Sequence, residues 1–256
     1  MQTIKEIEAQ LRTINEPNTW MLTLKDDHRA GVKKALGRWQ RTYEKKQKEL
    51  MAYQNKKAFD ASFEPFQGAL VAGVDEAGRG PLAGPVVSAV VILPEDTEAL
   101  IGLDDSKAIS KVNREQLAAE IREVALAYAV YTQPATKIDE LNIYAATKDS
   151  MEKAVEALSV KPDFVIADAM SLNINCPTSS VVKADAQSLA VAAASILAKT
   201  TRDALMDKLH EEFPMYNFMR NAGYGTAEHL AALQTFGPCV HHRRSFEPVK
   251  SLVENK

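Results

Sequence analysis

Residues 69–87 read Ala69-Leu70-Val71-Ala72-Gly73-Val74-Asp75-Glu76-Ala77-Gly78-Arg79-Gly80-Pro81-Leu82-Ala83-Gly84-Pro85-Val86-Val87. The apolar run Ala69 to Val74 predicts a strand, and it leads straight into two adjacent carboxylates, Asp75 and Glu76. A strand that ends in two acids within an apolar setting needs a reason, because a buried charge is costly unless it is paired or holds a cation. The Gly-Arg-Gly turn that follows lets another backbone come close. Arg79 adds a planar, fork-shaped cation suited to phosphate. Carboxylates beside such a loop point to divalent metal and phosphodiester chemistry.

Outward from this stretch, strands alternate with helices, which makes the class α/β. A second strand is predicted from Gly84 to Leu93, and Asp104-Asp105-Ser106-Lys107 reads as a loop. Helical patterns cover Asn113–Ala127 and Ile138–Leu158, with a short strand at Ala129–Thr132 between them. Phe164-Val165-Ile166-Ala167 is a buried-type strand ending at Asp168, and Ser180–Val182 is a short strand before Lys183-Ala184-Asp185. An Ala-rich helix is predicted over Ala186–His210, then a Tyr/Gly loop over 214–226 and a helix over Ala227–Thr235.

Upstream of the strand, Thr3–Ile14 has helical spacing, broken by Glu16, Pro17 and Asn18. A longer helix is predicted from Asp26 to Ala58, with Val32, Leu36, Trp39, Tyr43, Leu50 and Tyr53 forming one narrow apolar stripe. Residues 59–68 read as a linker. The predicted division is a basic helical N-terminal extension over 1–65 and a main domain over 66–256 that closes with C-terminal helices.

Of the 256 residues, 46% are apolar and 25% charged, which suits a soluble globular chain. Cys176 and Cys239 lie far apart and outside any metal-ligand spacing, which favours a reduced, cytoplasmic setting over a disulfide framework. No long apolar stretch opens the chain, so neither a signal peptide nor a membrane span is expected.

The net charge of −3 conceals a split: residues 1–60 carry 13 Lys/Arg and 8 Asp/Glu, and the remainder carries 18 and 26. Residues 28–57 hold ten Lys/Arg against two Glu. A solvated helix face accounts for that run, and so does an electrostatic handle for a polyanion. The acidic remainder is at first sight wrong for a nucleic-acid enzyme, but bound cations would invert it locally.

Asp168 and Asp185 each follow a predicted strand, and strand ends are where α/β sheets gather site residues. With Asp75 and Glu76 they make four carboxylates that could converge. Converged without cations they would raise one another's pKa, and two Mg²⁺ ions would relieve the repulsion. Taken singly, Asp185 before a helix would serve equally well as an N-cap.

The ordered set of motifs resembles the type 2 ribonuclease H family, bacterial ribonuclease HII. The matching stretches are Gly73 to Val87, Asp105-Ser106-Lys107, Asp168, Lys183-Ala184-Asp185, Ala192 to Lys199 with Arg202-Asp203, Gly223-Tyr224-Gly225-Thr226, and His242-Arg243-Arg244-Ser245-Phe246. They cover roughly residues 70–250. Ala184 stands where many relatives have Gly. The sister type, ribonuclease HIII, typically has Lys or Thr where this chain has Arg79, and Asp where it has Pro81.

The resemblance implies a ribonuclease H-like mixed central sheet flanked by helices. It implies an endonuclease that hydrolyses the RNA strand of RNA–DNA hybrids and nicks duplex DNA 5′ of embedded ribonucleotides, leaving 5′-phosphate and 3′-hydroxyl ends, in ribonucleotide removal during replication and repair. It makes Asp75, Glu76, Asp168 and Asp185 the catalytic and metal carboxylates, for two Mn²⁺ or Mg²⁺ ions. It assigns Gly78-Arg79-Gly80 to the ribonucleotide and its 2′-hydroxyl, and Tyr224 to the sugar of the next nucleotide. Ser106, Lys107 and Lys183 are candidate phosphate contacts. The expected partners are RNA–DNA hybrid and ribonucleotide-containing duplex DNA, with no membrane, acted on by a monomer. Lys199 and Arg202 lie in a helix, where pairing with acids alone would account for either; Asp203 is expected to give structural support, and His242 to be structural. Two other classes compete: a non-catalytic hybrid-binding module, and another two-metal nuclease such as a resolvase.

Overall fold

The computed structural model describes residues 2–103 and 109–254. The chain divides into two compact units, Met1–Gln54 and Asn55–Lys256, and each is described by itself.

In the first unit, α1 (Ile4–Thr13) opens on a capping box in which the Thr3 side chain accepts from Glu6 N and Glu6 reaches back to Thr3 N. The Pro17 break leads into a helix that the spacing did not predict, α2 (Thr19–Lys25), started by the Asn18 side chain accepting from Met21 N. Helix α3 (Ala30–Ala61) begins in this unit and runs on into the second. Ile7, Leu11, Met21, Leu24, Val32 and Ala35 form the core of the first unit. The Trp39 indole donates to the Ile14 carbonyl at 2.8 Å.

The second unit is built on a five-stranded sheet: β1 (Val71–Ala77), β2 (Val86–Ile92), β3 (Ala127–Gln133), β4 (Phe164–Asp168) and β5 (Thr178–Val181), in the order β3-β2-β1-β4-β5. β1 is antiparallel to β2 and parallel to β4, so the sheet is mixed, as the resemblance implies. After α3 the helices are α4 (Lys111–Val124), α5 (Ala135–Leu141), α6 (Ile143–Glu156), α7 (Ala184–Gln187), α8 (Leu189–Glu212), α9 (Phe218–Asn221), α10 (Ala227–Phe236) and α11 (Val249–Glu254).

Alternation along β1 sorts its side chains between two faces. Ala72 and Val74 join Val90, Ile92, Met151 and Ala154 in a core shared with α6. Gly73 and Asp75 share the opposite face, which meets α8. A Cβ on Gly73 would lie 2.2 Å from both Ala190 C and Val191 N, so only glycine lets the helix backbone come this close. The Ala-rich first half of α8, buried from Leu189 to Ala198, presents the small side chains that this approach needs.

Several predicted boundaries differ from the structure: the helix expected over 113–127 ends at Val124 and Ala127 opens β3, the expected loop over 214–226 contains α9, and three further differences have a clear physical reason. The helix expected over 138–158 is two helices, α5 and α6, broken at Asn142, which has φ +69° and accepts from Ala145 N at 3.1 Å. The helix expected over 186–210 is α7 and α8, separated by Ser188, whose hydroxyl accepts from Val191 N at 3.0 Å. The first residues of the expected linker 59–68 are still helical. Asp60, in the last turn of α3, accepts from the Leu189 and Ala190 amides at 3.0 Å each, serving the N-terminus of α8 from a distant part of the chain. Burial pushes the Asp60 carboxyl up to about 6.

Candidate active site

The register of the parallel strands delivers the carboxylates. Val74 of β1 pairs with Ala167 of β4, so Asp75 and Asp168, the next residues, lie side by side where the pairing of these two strands ends. Asp168 pairs in turn with Val181, the last residue of β5, after which the chain turns into α7 carrying Asp185. The carboxyl ends of three parallel neighbours thus supply the acids, the usual place for a site in such a sheet. Asp168 Oδ1 accepts from Ala184 N at 2.8 Å, which ties the end of β4 to the start of α7. Asp185 Oδ1 accepts from Ala186 N at 2.9 Å, from inside the first turn of α7 rather than at its cap.

Asp75 is only 5% exposed. Its carboxylate accepts from Glu76 N at 2.7 Å and from the Ser195 hydroxyl of α8. Burial, then the charges of Glu76 and Asp168, push the Asp75 carboxyl well above the usual range. Burial also raises Glu76, with Arg79 opposing it. Glu76 Oε2 is buried and accepts no hydrogen bond. Such a set of hard oxygen donors, with one orphaned and one held away from ionisation, fits a divalent cation. Among the described residues, no three acidic, His or Cys side chains are grouped closely enough to ligate one ion as they stand.

One cleft of about 410 Å³ gathers Asp75, Glu76, Asp168 and Asp185 together with Gly78, Arg79, Gly80 and Tyr224. Eight sequence-predicted site residues therefore share one cavity. Lys183 does not line it; this exposed residue has φ +57° and opens α7. Ser106 and Lys107 lie outside the described residues. Ser195, Lys199 and Arg202 of α8 complete the wall.

Two buried arginines shape the loop after β1. Gly78 has φ +99°, and a Cβ there would sit 2.1 Å from Arg202 Nε, so the turn admits no other residue without displacing the guanidinium. Arg243, fully buried, donates to the carbonyls of Gly78, Arg79 and Gly84, with 2.7 Å to Arg79 O. Arg202 donates to the carbonyls of Pro85, Ala222 and Ala83 at 3.0, 3.0 and 3.2 Å. Its hydrogen bonds thus go to backbone carbonyls rather than to the acids expected from sequence, and they link the loop after β1 to the segment just before Tyr224. Burial, and then the charge of Arg202, lower Arg243 to about 9. The expected acid pairing holds for Lys199, which bonds Asp203 at 2.6 Å, and Asp203 also takes Arg114 of α4 at 3.1 Å. Asp203 lies outside the cleft wall, consistent with structural support. Arg79 is exposed, with its guanidinium 3.4 Å from Glu76 Oε1.

The Ribonuclease HII family profile matches residues 72–249, and that of the Ribonuclease HII N-terminal domain matches residues 3–64. The chain belongs to the ribonuclease HII family. It is an endonuclease of the ribonuclease H type. It is 48% identical to the Ribonuclease HII of Halalkalibacterium halodurans over 99% of this chain and 97% of that protein. It is 45% identical to the Ribonuclease HII of Geobacillus sp. (strain WCH70), over 99% and 92%. The crystal structure of the ribonuclease H2 from Pyrococcus horikoshii OT3 superposes with a TM-score of 0.64 at 28% identity, covering 73% of this chain and 98% of that one. Among the described residues, no helix is long and apolar enough to cross a membrane.

Sequence reasoning assigned no role to Ser195 or Arg243. Ser195 lies inside an Ala-rich helix, where a lone hydroxyl carries no signal. Arg243 reaches Gly78 across 165 residues, a relation that no local pattern reveals.

Proposed function

We propose that the protein hydrolyses the RNA strand of RNA–DNA hybrids and nicks duplex DNA 5′ of an embedded ribonucleotide. The observation that carries this reading is that four carboxylates share one cleft with the Gly78-Arg79-Gly80 turn and Tyr224. Asp75, Glu76, Asp168 and Asp185 would hold two divalent cations, Mg²⁺ or Mn²⁺. Bound there, the cations would supply an activated water and stabilise the leaving oxygen of an in-line displacement.

The residues of the chain select the phosphodiester. A backbone turn of glycines approaches a sugar closely enough to hydrogen-bond its 2′-hydroxyl, the group that separates RNA from DNA. Arg79, exposed beside the acids, offers its fork to a phosphate. The Tyr224 ring, about half exposed at the cleft, packs on the next sugar, where a further hydroxyl would crowd it. Arg202 bonds the Ala83 and Ala222 carbonyls, which ties the segment that follows the turn to the one that precedes Tyr224. The acids then cut, and the loops decide where.

The division into a catalytic domain and a basic extension belongs to the same proposal. Lys33, Lys34, Arg38, Arg41, Lys45, Lys46 and Lys48 of α3 are exposed and would add sequence-independent duplex affinity. Lys56 and Lys57 serve the fold instead, donating to the carbonyls of Leu103 and Glu95.

A uniform RNA–DNA hybrid incubated with Mg²⁺ or Mn²⁺ tests the reaction class. The reading predicts cleavage of the RNA strand alone, to fragments with 5′-phosphate and 3′-hydroxyl ends. Binding without cleavage in either metal would make the protein a hybrid-binding module.

A further inference from the structure

Beneath the Tyr224 loop lie two histidines that the cleft does not use. His229, in the first turn of α10, and His242 are 0% and 2% exposed. Their ring nitrogens are fully accounted for. Cys239 N donates to His242 Nδ1 at 3.0 Å, so that nitrogen carries no proton. The proton of a neutral His242 is therefore on Nε2, which lies 2.9 Å from His229 Nε2 and donates to it. The proton of His229 is then on Nδ1, which donates to the Tyr224 carbonyl at 2.9 Å. All three bonds run the same way, and each ring is committed to one tautomer by the other.

We propose that His229 and His242 are positioning residues whose neutral rings relay hydrogen bonds from the Cys239 amide to the Tyr224 carbonyl, holding the tyrosine at the cleft for junction recognition. The proposal rests on the reading of Tyr224 as the ring that meets the nucleotide after the ribonucleotide. The pair is braced on its sides by Tyr216, whose ring lies 6.0 Å from His229 and 4.7 Å from His242 in edge-to-face geometry, and by Phe218 at 5.5 Å from His229. The Tyr224 carbonyl also accepts from Thr226 N at 2.8 Å, and Tyr224 N donates to Asn221 O at 2.9 Å. Three bonds thus fix the backbone of a residue whose ring is left exposed. A ring that discriminates one hydroxyl by crowding has to be held this closely, because a small displacement relieves the clash. The relay fixes the tyrosine from behind while its face stays open to substrate.

The test measures kcat/KM on a duplex with one ribonucleotide relative to a uniform hybrid, together with thermal unfolding. His229→Leu should lower this ratio about tenfold, the scale of one lost buried hydrogen bond. His229→Asn, whose amide takes the Nδ1 position and donates to the same carbonyl, should recover most of it. Where His229→Leu does not fold, His229→Gln replaces it, since its amide reaches His242 but not Tyr224 and should also lower the ratio. In a Tyr224→Ala background, His229→Leu should cause no further loss, because it acts through the tyrosine. A ratio unchanged by Tyr224→Ala overturns the reading of Tyr224 and the proposal with it. A ratio lowered by Tyr224→Ala but unmoved by the His229 variants overturns the proposal alone, as does a His229→Leu loss that persists without the tyrosine.

Discussion

Arg243 and Gly78 are 165 residues apart in the chain, yet the buried guanidinium of one donates to the carbonyl of the other. The same guanidinium holds the Arg79 and Gly84 carbonyls, so one side chain fixes both ends of the loop that follows the two acids. Arg243→Leu takes the donor from all three carbonyls, of which that of Gly84 lies in a buried residue, at about 1 kcal/mol each. The melting temperature should fall by roughly 2–4 °C per kcal/mol for a chain of this size. Arg243→Lys should recover little, since an ammonium lacks the fork that spans several acceptors. A melting temperature within a degree of wild type for both variants would show that the clamp carries no weight.

The close approach of β1 and α8 gives a second prediction. Gly73→Ala sets a Cβ against the Ala190 and Val191 backbone, which has no flexible side chain to yield. Overpacking of this kind costs about 1–3 kcal/mol. The helix must shift from the strand, and Ser195 withdraws from Asp75 with it. Chemical denaturation should show the loss, and cleavage should fall even in protein that remains folded. Full activity at undiminished stability would contradict the packing argument.

Much of the candidate site was legible because its parts lie at or near strand ends. The runs before Asp75 and Asp168 are continuous and apolar, so each acid could be placed at the edge of a sheet from its own neighbourhood. The same logic fails for Arg243 and Arg202, whose acceptors are backbone carbonyls that any sequence supplies. It also fails at Ser188 and Asn142, where one side chain caps the start of a new helix inside a stretch that the apolar spacing carries straight through. The role of Asp60 was hidden for another reason: its partners are amides at the start of α8, exposed only by the fold.

Acid stability should depend on His242. Burial foremost, and then the charge of His229, lower its pKa to about 4. The titratable groups facing it are His229, His241, Cys239 and Tyr216, and none is a carboxylate. Because the folded pKa lies below the unfolded one, near 6.5, the unfolded chain binds more protons between these values. The contribution of His242 is thus fully present above about pH 6.5 and is lost as pH falls through about 4. Urea midpoints at pH 7.5 and 4.5 should drop further for wild type than for His242→Asn, which does not titrate. Equal drops would show that the imidazole is not the group responsible.

The basic helix should act through salt-sensitive binding to the duplex backbone. Removing residues 1–54 takes one compact unit but keeps Lys56, Lys57 and Asp60, which the second unit needs. Duplex affinity should fall, and the slope of log K against log salt should shrink by about 0.9 for each phosphate that the protein no longer neutralises. An unchanged slope would mean that the exposed lysines and arginines of α3 are only a solvated face.

On the proposed reading, the acids cut, and the Gly78-Arg79-Gly80 turn with Tyr224 decides where. The direct measurement of that division is the cleavage site on a DNA duplex containing one ribonucleotide, mapped in Mg²⁺ and Mn²⁺ with wild type and Asp75→Asn. Wild type should nick once, on the 5′ side of the ribonucleotide, and leave an all-DNA duplex intact, while folded Asp75→Asn should give no nick. Equal cleavage of the all-DNA duplex, or a nick that ignores the ribonucleotide, would contradict the assignment.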